Sequence, residues 1–314
     1  MTSAQTAEVA RRSVQPESRP RRGPRPKLHR ERHGWLFIAP FLAAFTLIFL
    51  APIAYSFYLS AFREQAFFGD SVFVGLDNYA QALSDEKFVD AAVRVGLFSV
   101  VMIPLILGLA LVAALAIDSG RLHAPSLFRL VIFLPYAVPV VVAVLMWGYI
   151  YGDRFGLVSE VNDVLGTAFR PLSADWIFGS IVNIITWEFV GYNMIVFYSA
   201  LRTIPTELYE AAAIDGAGPI RIALSIKIPA LRGAIVINTI FSIIGTGHIF
   251  VEPWVLRDLA PNAISTFYTP NIYAMNLSFA GQQFNYAAAV AILMAVVTAM
   301  VAYVVQLRAS REEL

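Results

Sequence analysis

Residues 95–117 read VGLFSVVMIPLILGLALVAALAI, a run of 23 residues without a single charged side chain. About 20 mostly apolar residues in a helix are enough to cross the hydrocarbon core of a membrane. Such a run is too long and too uniformly apolar for the half-exposed helix of a soluble domain, which keeps one polar face. The segment therefore predicts a membrane-spanning helix.

Five more apolar runs of similar character lie along the chain, so the sequence predicts six spans. The fourth run is interrupted only by Glu188, and the sixth is so long that its helix is expected to begin near Tyr286, after a stretch rich in Pro, Asn and Gln. The predicted spans lie near residues 35–62, 95–117, 130–152, 176–201, 233–251 and 286–307.

The composition of the whole chain agrees with this prediction. Of 314 residues, 58% are apolar and only 14% are charged, and the mean hydropathy is +0.65. A soluble domain carries about a quarter charged residues. The absence of cysteine excludes disulfides and cysteine-ligated metal centres. We therefore predict an all-α integral membrane protein.

Lysine and arginine are distributed unevenly between the loops. If the chain has six spans, 17 of the 23 basic residues lie on the side of the termini and 6 on the other side. Basic residues accumulate in cytoplasmic loops, so both termini and the loop of residues 202–232 are predicted to be cytoplasmic. Residues 1–33 predict a disordered basic tail. Such a tail can bind anionic lipid or nucleic acid, but we expect it to set the topology and predict no nucleic-acid partner.

The sequence contains no recognisable catalytic motif. No glycine is followed by lysine, which excludes the phosphate-binding G-x-x-x-x-G-K-[ST] loop. Its four histidines are scattered and form no H-E-x-x-H pair with metal-ligand spacing. We therefore predict no catalytic residue, no metal site and no cofactor in this chain.

The loop of residues 202–232 has an unusual sequence, which from residue 203 reads TIPTELYEAAAIDGAGPIRIALSIKIP. Residues 207–215 predict a short helix with Thr206 as its N-cap and acidic residues in its first turn. Pro219 can open a second helix, because the first helical position needs no backbone N–H. The two helices would meet at a corner formed by Gly216 and Gly218.

Two interpretations of this loop follow from its residues alone. One side of the first helix carries only the small side chains of Ala211, Ala212 and Ala213, so a groove of another protein could close on it. Glu210 could offer a carboxylate to that protein. Alternatively, the loop lies on the bilayer, with Leu208 and its apolar neighbours against the lipid headgroups. The residues themselves do not decide between the two.

The run Glu210-Ala-Ala-Ala-Ile-Asp215-Gly216-Ala217, followed by Ile228-Pro229, resembles the EAA loop of ABC importer permeases. In that family the loop forms a coupling helix, which sits in a cleft of the cytoplasmic ATPase subunit. Lys227 departs from the pattern, since Thr-Leu-Pro is usual where Lys227-Ile-Pro stands here. The resemblance implies ATPase-coupling roles for Glu207, Glu210, Ala211, Ala212, Asp215, Gly216 and Gly218.

The resemblance extends from about Trp35 to the C-terminus. FVGLDNY at residues 73–79 is similar to the F-V-G-L-x-N-Y signature of sugar permeases in the maltose and glycerol-phosphate transporter group, and FNYAAA at residues 284–289 fits that group's last span. This implies the type I ABC importer permease fold, in a multi-pass protein of the bacterial cell membrane that translocates a di- or oligosaccharide. The implied partners are a second, similar permease, two ATPase subunits that bind ATP and Mg²⁺, and an external sugar-binding protein or lipoprotein.

Two polar stripes in the predicted spans are candidates for a sugar pocket. Glu188 is an ionisable group inside a span, which usually faces a bundle interior or an aqueous cavity, and Tyr192 shares its helical face at i+4. The fifth span carries a second stripe at i, i+4 and i+8. Carboxylate and amide groups bind sugar hydroxyls, while an aromatic ring covers the apolar sugar face. By resemblance, Tyr192, Ser242 and Thr246 fall where maltose-type permeases line their sugar site. The predicted pocket residues are Trp187, Glu188, Tyr192, Asn193, Asn238, Ser242 and Thr246.

Other roles for these residues remain open. Serine and threonine often bond back to their own helix, asparagine can join two helices, and Glu188 can pair with a partner subunit. For the whole chain, the alternative is a proton-coupled secondary transporter in which Glu188 is the coupling carboxylate. Such transporters are commonly built from internal repeats with paired broken helices, and the sequence contains no convincing repeat. A nontransporting membrane scaffold is a third interpretation.

Overall fold

The computed structural model describes residues 32–64 and 71–311, and most of them are helical. The described residues divide into two units, one up to Pro52 and one from Ile53 onward. The predicted all-α fold is confirmed. The tail predicted over residues 1–33 lies outside the described residues, except for Arg32 and His33 at the start of the first helix.

The helices are numbered here in chain order, and two segments pass through π-helical turns, at Thr46–Leu50 and Ala223–Lys227. The helices are α1 (Arg32–Phe45), α2 (Ala51–Ser60), α3 (Asp77–Ser84), α4 (Glu86–Asp118), α5 (Pro125–Phe133), α6 (Val140–Ile150), α7 (Leu157–Leu165), α8 (Ile177–Leu201), α9 (Thr206–Ile214), α10 (Pro219–Ile222), α11 (Ile228–Ala230), α12 (Arg232–Gly247), α13 (Val251–Leu256), α14 (Pro270–Phe279) and α15 (Phe284–Arg311). The strands β1 (Phe62–Glu64) and β2 (Ser71–Phe73) form an antiparallel pair, in which Phe62 faces Phe73.

Five helical segments of the described chain are long and apolar enough to cross a membrane, and each overlaps one predicted span. They are Phe37–Ser60, Glu86–Asp118, Ile177–Leu201, Arg232–Leu256 and Phe284–Ser310. The second begins well before the charge-free run at residue 95, because the Asp85 side chain caps the helix by accepting a hydrogen bond from the Lys87 N–H at 3.0 Å.

The third predicted span, residues 130–152, is not one straight helix. Pro125–Ala137, which ends in a 3₁₀ turn, and Val140–Ile150 meet at an angle of 97°. Pro139 explains the break, because a proline disfavours the helical conformation of the residue before it, and Val138 is extended, with a ψ of 131°. If the bent pair is counted as one span, the total reaches the six that the sequence predicts.

The FVGLDNY stretch folds back onto the end of α2. The amide nitrogen of Asn78 donates to the carbonyl oxygens of Ser60 and Phe62, both at 2.8 Å, and Arg63 donates to the Asn78 side-chain oxygen. The hydroxyl of Tyr79 lies 2.7 Å from that of Ser60. These bonds satisfy backbone groups that the helix end leaves without partners, so this stretch determines where α2 stops.

The core of the larger unit forms where α4 packs along α8. The buried residues of α4 recur every three or four positions, which is the spacing of one helical face. They include Phe98, Met102, Ile106, Ala110 and Ala114. They belong to the same apolar clusters as Ile181, Ile185, Phe197 and Leu201 of α8.

Gly191 of α8 allows the bent pair to approach the core closely. A Cβ atom at this position would lie 2.1 Å from the carbonyl oxygen of Ile132 and 2.7 Å from the Cα of Phe133. Any other residue would therefore have to push the backbone of α5 away. This contact places the turn that carries Tyr136 beside Tyr192, the residue after Gly191.

Residues 202–232 form two short helical segments joined at a glycine corner. Thr206 is the first residue of α9 and not its cap; Pro205 occupies the cap position, and its side chain makes no capping hydrogen bond. Gly216 has a φ of +82°, in the left-handed region that favours glycine. The second segment begins at Pro219 and continues through α10, the π-helical turn and α11.

Candidate functional site

A cavity of about 630 Å³ lies between α4, α8, the turn between α5 and α6, and the break between α12 and α13. Five of the predicted pocket residues line this cavity: Glu188, Tyr192, Asn193, Ser242 and Thr246. Trp187 and Asn238 do not. Most residues of the two polar stripes predicted from the sequence thus line one cavity.

The fifth membrane segment is interrupted at the cavity. Helix α12 ends at Gly247 and α13 begins at Val251, and the residues between them contribute to the wall. The Nδ1 atom of His248 lies 2.7 Å from the carbonyl oxygen of Ile244. Because α13 restarts in the wall, Glu252 also lines the cavity, although its side chain is only 9% exposed.

Glu188 is the most deeply placed ionisable group in the middle of α8. Its side chain is 6% exposed, and its Oε2 atom has no hydrogen-bond partner among the described residues. Glu252 acts on it electrostatically. Buried polar groups of native proteins are nearly always paired, so an unpaired carboxyl oxygen on a cavity wall is available to a ligand.

Two tyrosines form an aromatic surface in the cavity. The rings of Tyr136 and Tyr192 stack with their centroids 5.0 Å apart and their planes at 25°, and the ring of Phe189 meets Tyr136 edge-on at 5.8 Å. Both tyrosines remain more than a third exposed. They therefore offer a flat apolar face together with hydroxyl groups.

Asn193 and Thr246 each use one donor within their own helix. The Asn193 amide nitrogen donates to the carbonyl oxygen of Phe189 at 3.0 Å, and the Thr246 hydroxyl donates to that of Ser242 at 2.8 Å. For Thr246 this is the back-bonding considered as the alternative in the sequence analysis. Their side-chain oxygens still have lone pairs that can accept hydrogen bonds.

The two predicted residues outside the cavity have other surroundings. The ring of Trp187 packs edge-on against Trp147 of α6, with the centroids 5.7 Å apart. Asn238 is buried one helical turn before Ser242, and its amide nitrogen has no partner among the described residues.

Several lining residues were not predicted from the sequence, among them Tyr136 and Glu252. Tyr136 carried a signal, since Pro135 and Pro139 flank it and predict a break in the helix. Glu252 carried none, because it follows directly on the predicted end of the fifth span at residue 251 and looks like part of an external loop.

The residues predicted to couple to the ATPase are mostly exposed. Ala212 is half-buried, and the other six are exposed: Glu207, Glu210, Ala211, Asp215, Gly216 and Gly218. Four large apolar side chains on the same two segments are also exposed: Leu208, Ile214, Ile220 and Leu224. Such a combination of exposed apolar and acidic groups suits a surface on which another protein docks.

Lys227 connects the second helical segment of residues 202–232 to the end of α4. Its ammonium group forms an ion pair with Asp118, and the two side chains are 12% and 8% exposed. The same ammonium group lies 4.7 Å above the ring of Tyr209 on α9. Burial, with the nearby charge of Asp118, raises the pKa of Tyr209. The residue at which the loop departs from the family pattern thus joins three elements.

Comparison with known proteins gives a consistent set of similarities. A family model described as "Binding-protein-dependent transport system inner membrane component" matches residues 80–311. The diacetylchitobiose uptake system permease protein NgcF of Streptomyces coelicolor is 32% identical, over 96% of this chain and 89% of the relative. The lactose transport system permease protein LacF of Rhizobium radiobacter is 31% identical, over 91% of this chain and 96% of the relative.

The fold also has a counterpart among solved structures. A chain from the crystal structure of a bacterial ABC transporter involved in the import of the acidic polysaccharide alginate superposes with a TM-score of 0.73. The match covers 89% of this chain and 96% of the other chain at 20% sequence identity. At that identity the likeness concerns the fold alone.

Proposed function

We propose a function for this chain from its family: it belongs to the binding-protein-dependent transport system inner membrane components, and we infer that it is a permease subunit of an ATP-driven sugar importer. It is a multi-pass membrane protein, and the membrane in our proposal is the bacterial cytoplasmic membrane. The cargo is a di- or oligosaccharide delivered by an external binding protein.

The observation that carries this proposal is the cavity between the membrane helices. Its volume of about 630 Å³ falls within the range of roughly 300–1,000 Å³ typical of small-molecule sites. Its wall combines a free carboxyl oxygen, amide and hydroxyl groups, and the stacked pair of Tyr136 and Tyr192. This combination suits a sugar, whose hydroxyls need acceptors and whose ring has an apolar face. The two named relatives support the same cargo class, since lactose and diacetylchitobiose are disaccharides.

The energy for transport comes, in this proposal, from partner subunits. The chain contains no phosphate-binding G-x-x-x-x-G-K-[ST] loop of its own. A second, similar permease completes the pathway, and two ATPase subunits, which bind ATP and Mg²⁺, dock on the exposed segment around α9. The uneven distribution of basic residues supports a cytoplasmic position for this segment and for both termini.

The contacts of the chain offer a route from that docking surface to the cavity. A displacement of α9 and of the segment that follows it acts on Asp118 through Lys227. Asp118 is the last residue of α4, and Met102, Ile103 and Ile106 of the same helix line the cavity. Helix α4 therefore connects ATPase docking to the sugar site through one continuous helix.

The test is uptake by the complete complex in liposomes. Import of a labelled disaccharide should require internal ATP and the external binding protein. Glu210→Lys should abolish import by reversing the charge of the docking surface, whereas Glu160→Lys, the same change at an exposed position on α7, should leave import intact. Uptake by this chain alone that persists without ATP and collapses with the proton gradient would instead favour the secondary transporter with Glu188 as the coupling group.

A further inference from the structure

The cavity wall carries two carboxyl groups. Glu188 and Glu252 both line it, and no lysine or arginine occurs among the lining residues in the described part of the chain. The other titratable groups on the wall are His248, whose Nδ1 lies close to a backbone carbonyl oxygen, and the two stacked tyrosines. The cavity is therefore an acidic site on this chain.

Both carboxyl groups are removed from water. Less than a tenth of either side chain is exposed, and Glu252 acts electrostatically on Glu188. The Oε2 atom of Glu188 lacks a hydrogen-bond partner within residues 32–64 and 71–311. Burying an unpaired carboxyl group costs free energy, which is recovered when a donor or a positive charge reaches it. The cavity wall is thus suited to a ligand that donates.

The fold itself places no restriction on the charge of the cargo. A chain with the same fold belongs to a transporter involved in the import of an acidic polysaccharide. Discrimination by charge must therefore come from individual side chains. The tyrosine pair cannot supply it, because an apolar ring face binds the sugar ring whatever charge the sugar carries.

We propose that Glu188 and Glu252 set the charge specificity of this cavity: it accepts saccharides that are uncharged or carry a basic amino group, and it excludes acidic ones. This rests on the proposed function and adds the substrate class. A sugar hydroxyl or an ammonium group donates to the free oxygen of Glu188. The carboxylate of a uronic acid instead loses its hydration without meeting a lysine or arginine on the wall, and the ionised form of either glutamate repels it in surroundings of low dielectric, where repulsion is poorly screened.

The experiment compares three β-1,4-linked disaccharides of similar size and different charge. They are diglucosamine with free amino groups, the neutral disaccharide cellobiose, and diglucuronate. The dissociation constant of each is measured by calorimetry on the purified complex of the permease pair and its ATPases, without the binding protein, whose own selectivity would mask that of the cavity. Diglucuronate should bind at least about tenfold more weakly than the neutral disaccharide, and diglucosamine at least as tightly.

Variants of this chain assign the effect to the two carboxyl groups. In the Glu188→Gln/Glu252→Gln double variant, which keeps the side-chain volumes, the gap between diglucuronate and the neutral disaccharide should shrink to about threefold or less. Glu160→Gln, a control at an exposed position of α7 that does not line the cavity, should leave the gap unchanged. Retained affinity for the neutral disaccharide shows that the double variant is folded. The comparison of the three disaccharides on the wild-type complex does not depend on any variant.

Two results separate failure of this inference from failure of the proposed function. If wild-type complex binds diglucuronate as tightly as the neutral disaccharide, or if the gap persists in the double variant, the charge specificity of Glu188 and Glu252 is refuted while sugar transport stands. If the complex binds none of the three and imports no disaccharide with ATP, the proposed function is refuted as well.

Discussion

The two ends of α4 are held by different kinds of contact. At its start, the Asp85 carboxylate accepts hydrogen bonds from the hydroxyls of Tyr273 and Tyr286, at 2.5 and 2.8 Å, in addition to its capping bond. At its last residue, Asp118 forms an ion pair with Lys227, the one ion pair found among the described residues. The Asp85 carboxylate thus has several neutral donors, whereas Asp118 has a single charged partner.

The start of α4 has further polar contacts to the segment before the last helix. The guanidinium of Arg94 donates to the carbonyl oxygen of Tyr268 at 3.0 Å and lies 4.6 Å above the ring of the same residue. Burial, opposed by the charge of Arg94, raises the pKa of Tyr268 to about 12. Several polar contacts hold this end, whereas the end at Asp118 has one ion pair, in addition to apolar packing, to the segment that in our proposal follows the ATPase.

The largest effect is expected from breaking the single ion pair. Lys227→Met keeps the apolar stem of the side chain but leaves Asp118 buried without a partner, so the free energy of unfolding should fall by about 3–5 kcal/mol. Denaturant unfolding of the purified protein in mild detergent measures this loss. The Asp118→Asn/Lys227→Met double variant, which buries no charge, should recover more than half of it. An unchanged stability of the single variant would show that solvent reaches Asp118 freely.

This ion pair also marks the limit of what the sequence could predict. The apolar runs predicted the long helices, since about 20 apolar residues leave few alternatives, and the glycines predicted the corner at Gly216. Lys227 could be recognised only as a departure from the pattern, because its partner lies 109 positions away. Glu252 lines the cavity because the fifth membrane segment is broken between α12 and α13. Tyr136 lines it because Pro139 bends a predicted span. Contacts between distant segments depend on how the helices cross, and local periodicity does not encode that.

A smaller loss is expected at the other end. Asp85→Ala removes the cap of α4 and leaves the hydroxyls of Tyr273 and Tyr286 without their acceptor, so the free energy of unfolding should fall by about 2–3 kcal/mol. Asp85→Asn keeps one acceptor oxygen and should lose about half as much. The same detergent unfolding assay measures both. If Asp85→Ala costs more than Lys227→Met, the ranking of the two ends is wrong.

A single donor at this end should matter still less. Tyr273→Phe removes one hydroxyl while Tyr286 and the Lys87 N–H continue to bond Asp85, so a loss of about 1 kcal/mol is expected. Tyr303→Phe, at an exposed tyrosine of α15, is the matched control and should change nothing measurable. A loss as large as that of Asp85→Ala would mean that the contacts around Asp85 act as one unit and do not substitute for each other.

The smallest effect is the response of the Asp85 contacts to acid. Burial alone would raise the pKa of Asp85, but hydrogen bonds from Tyr273 and Tyr286, with the backbone N–H and charge of Lys87, hold it below its ordinary value of 3.8. A carboxyl group whose pKa is lower in the folded state stabilises that state fully above its unfolded pKa, and the stabilisation is lost as the pH falls through the folded pKa. The stability difference between wild type and Asp85→Asn should therefore stay constant from neutral pH down to about 4 and shrink below it. The substitution changes one carboxyl group, so the difference reports on Asp85 and its contacts. A difference that stays constant well below this pH would show that the ionised form of Asp85 is not what holds this end of α4.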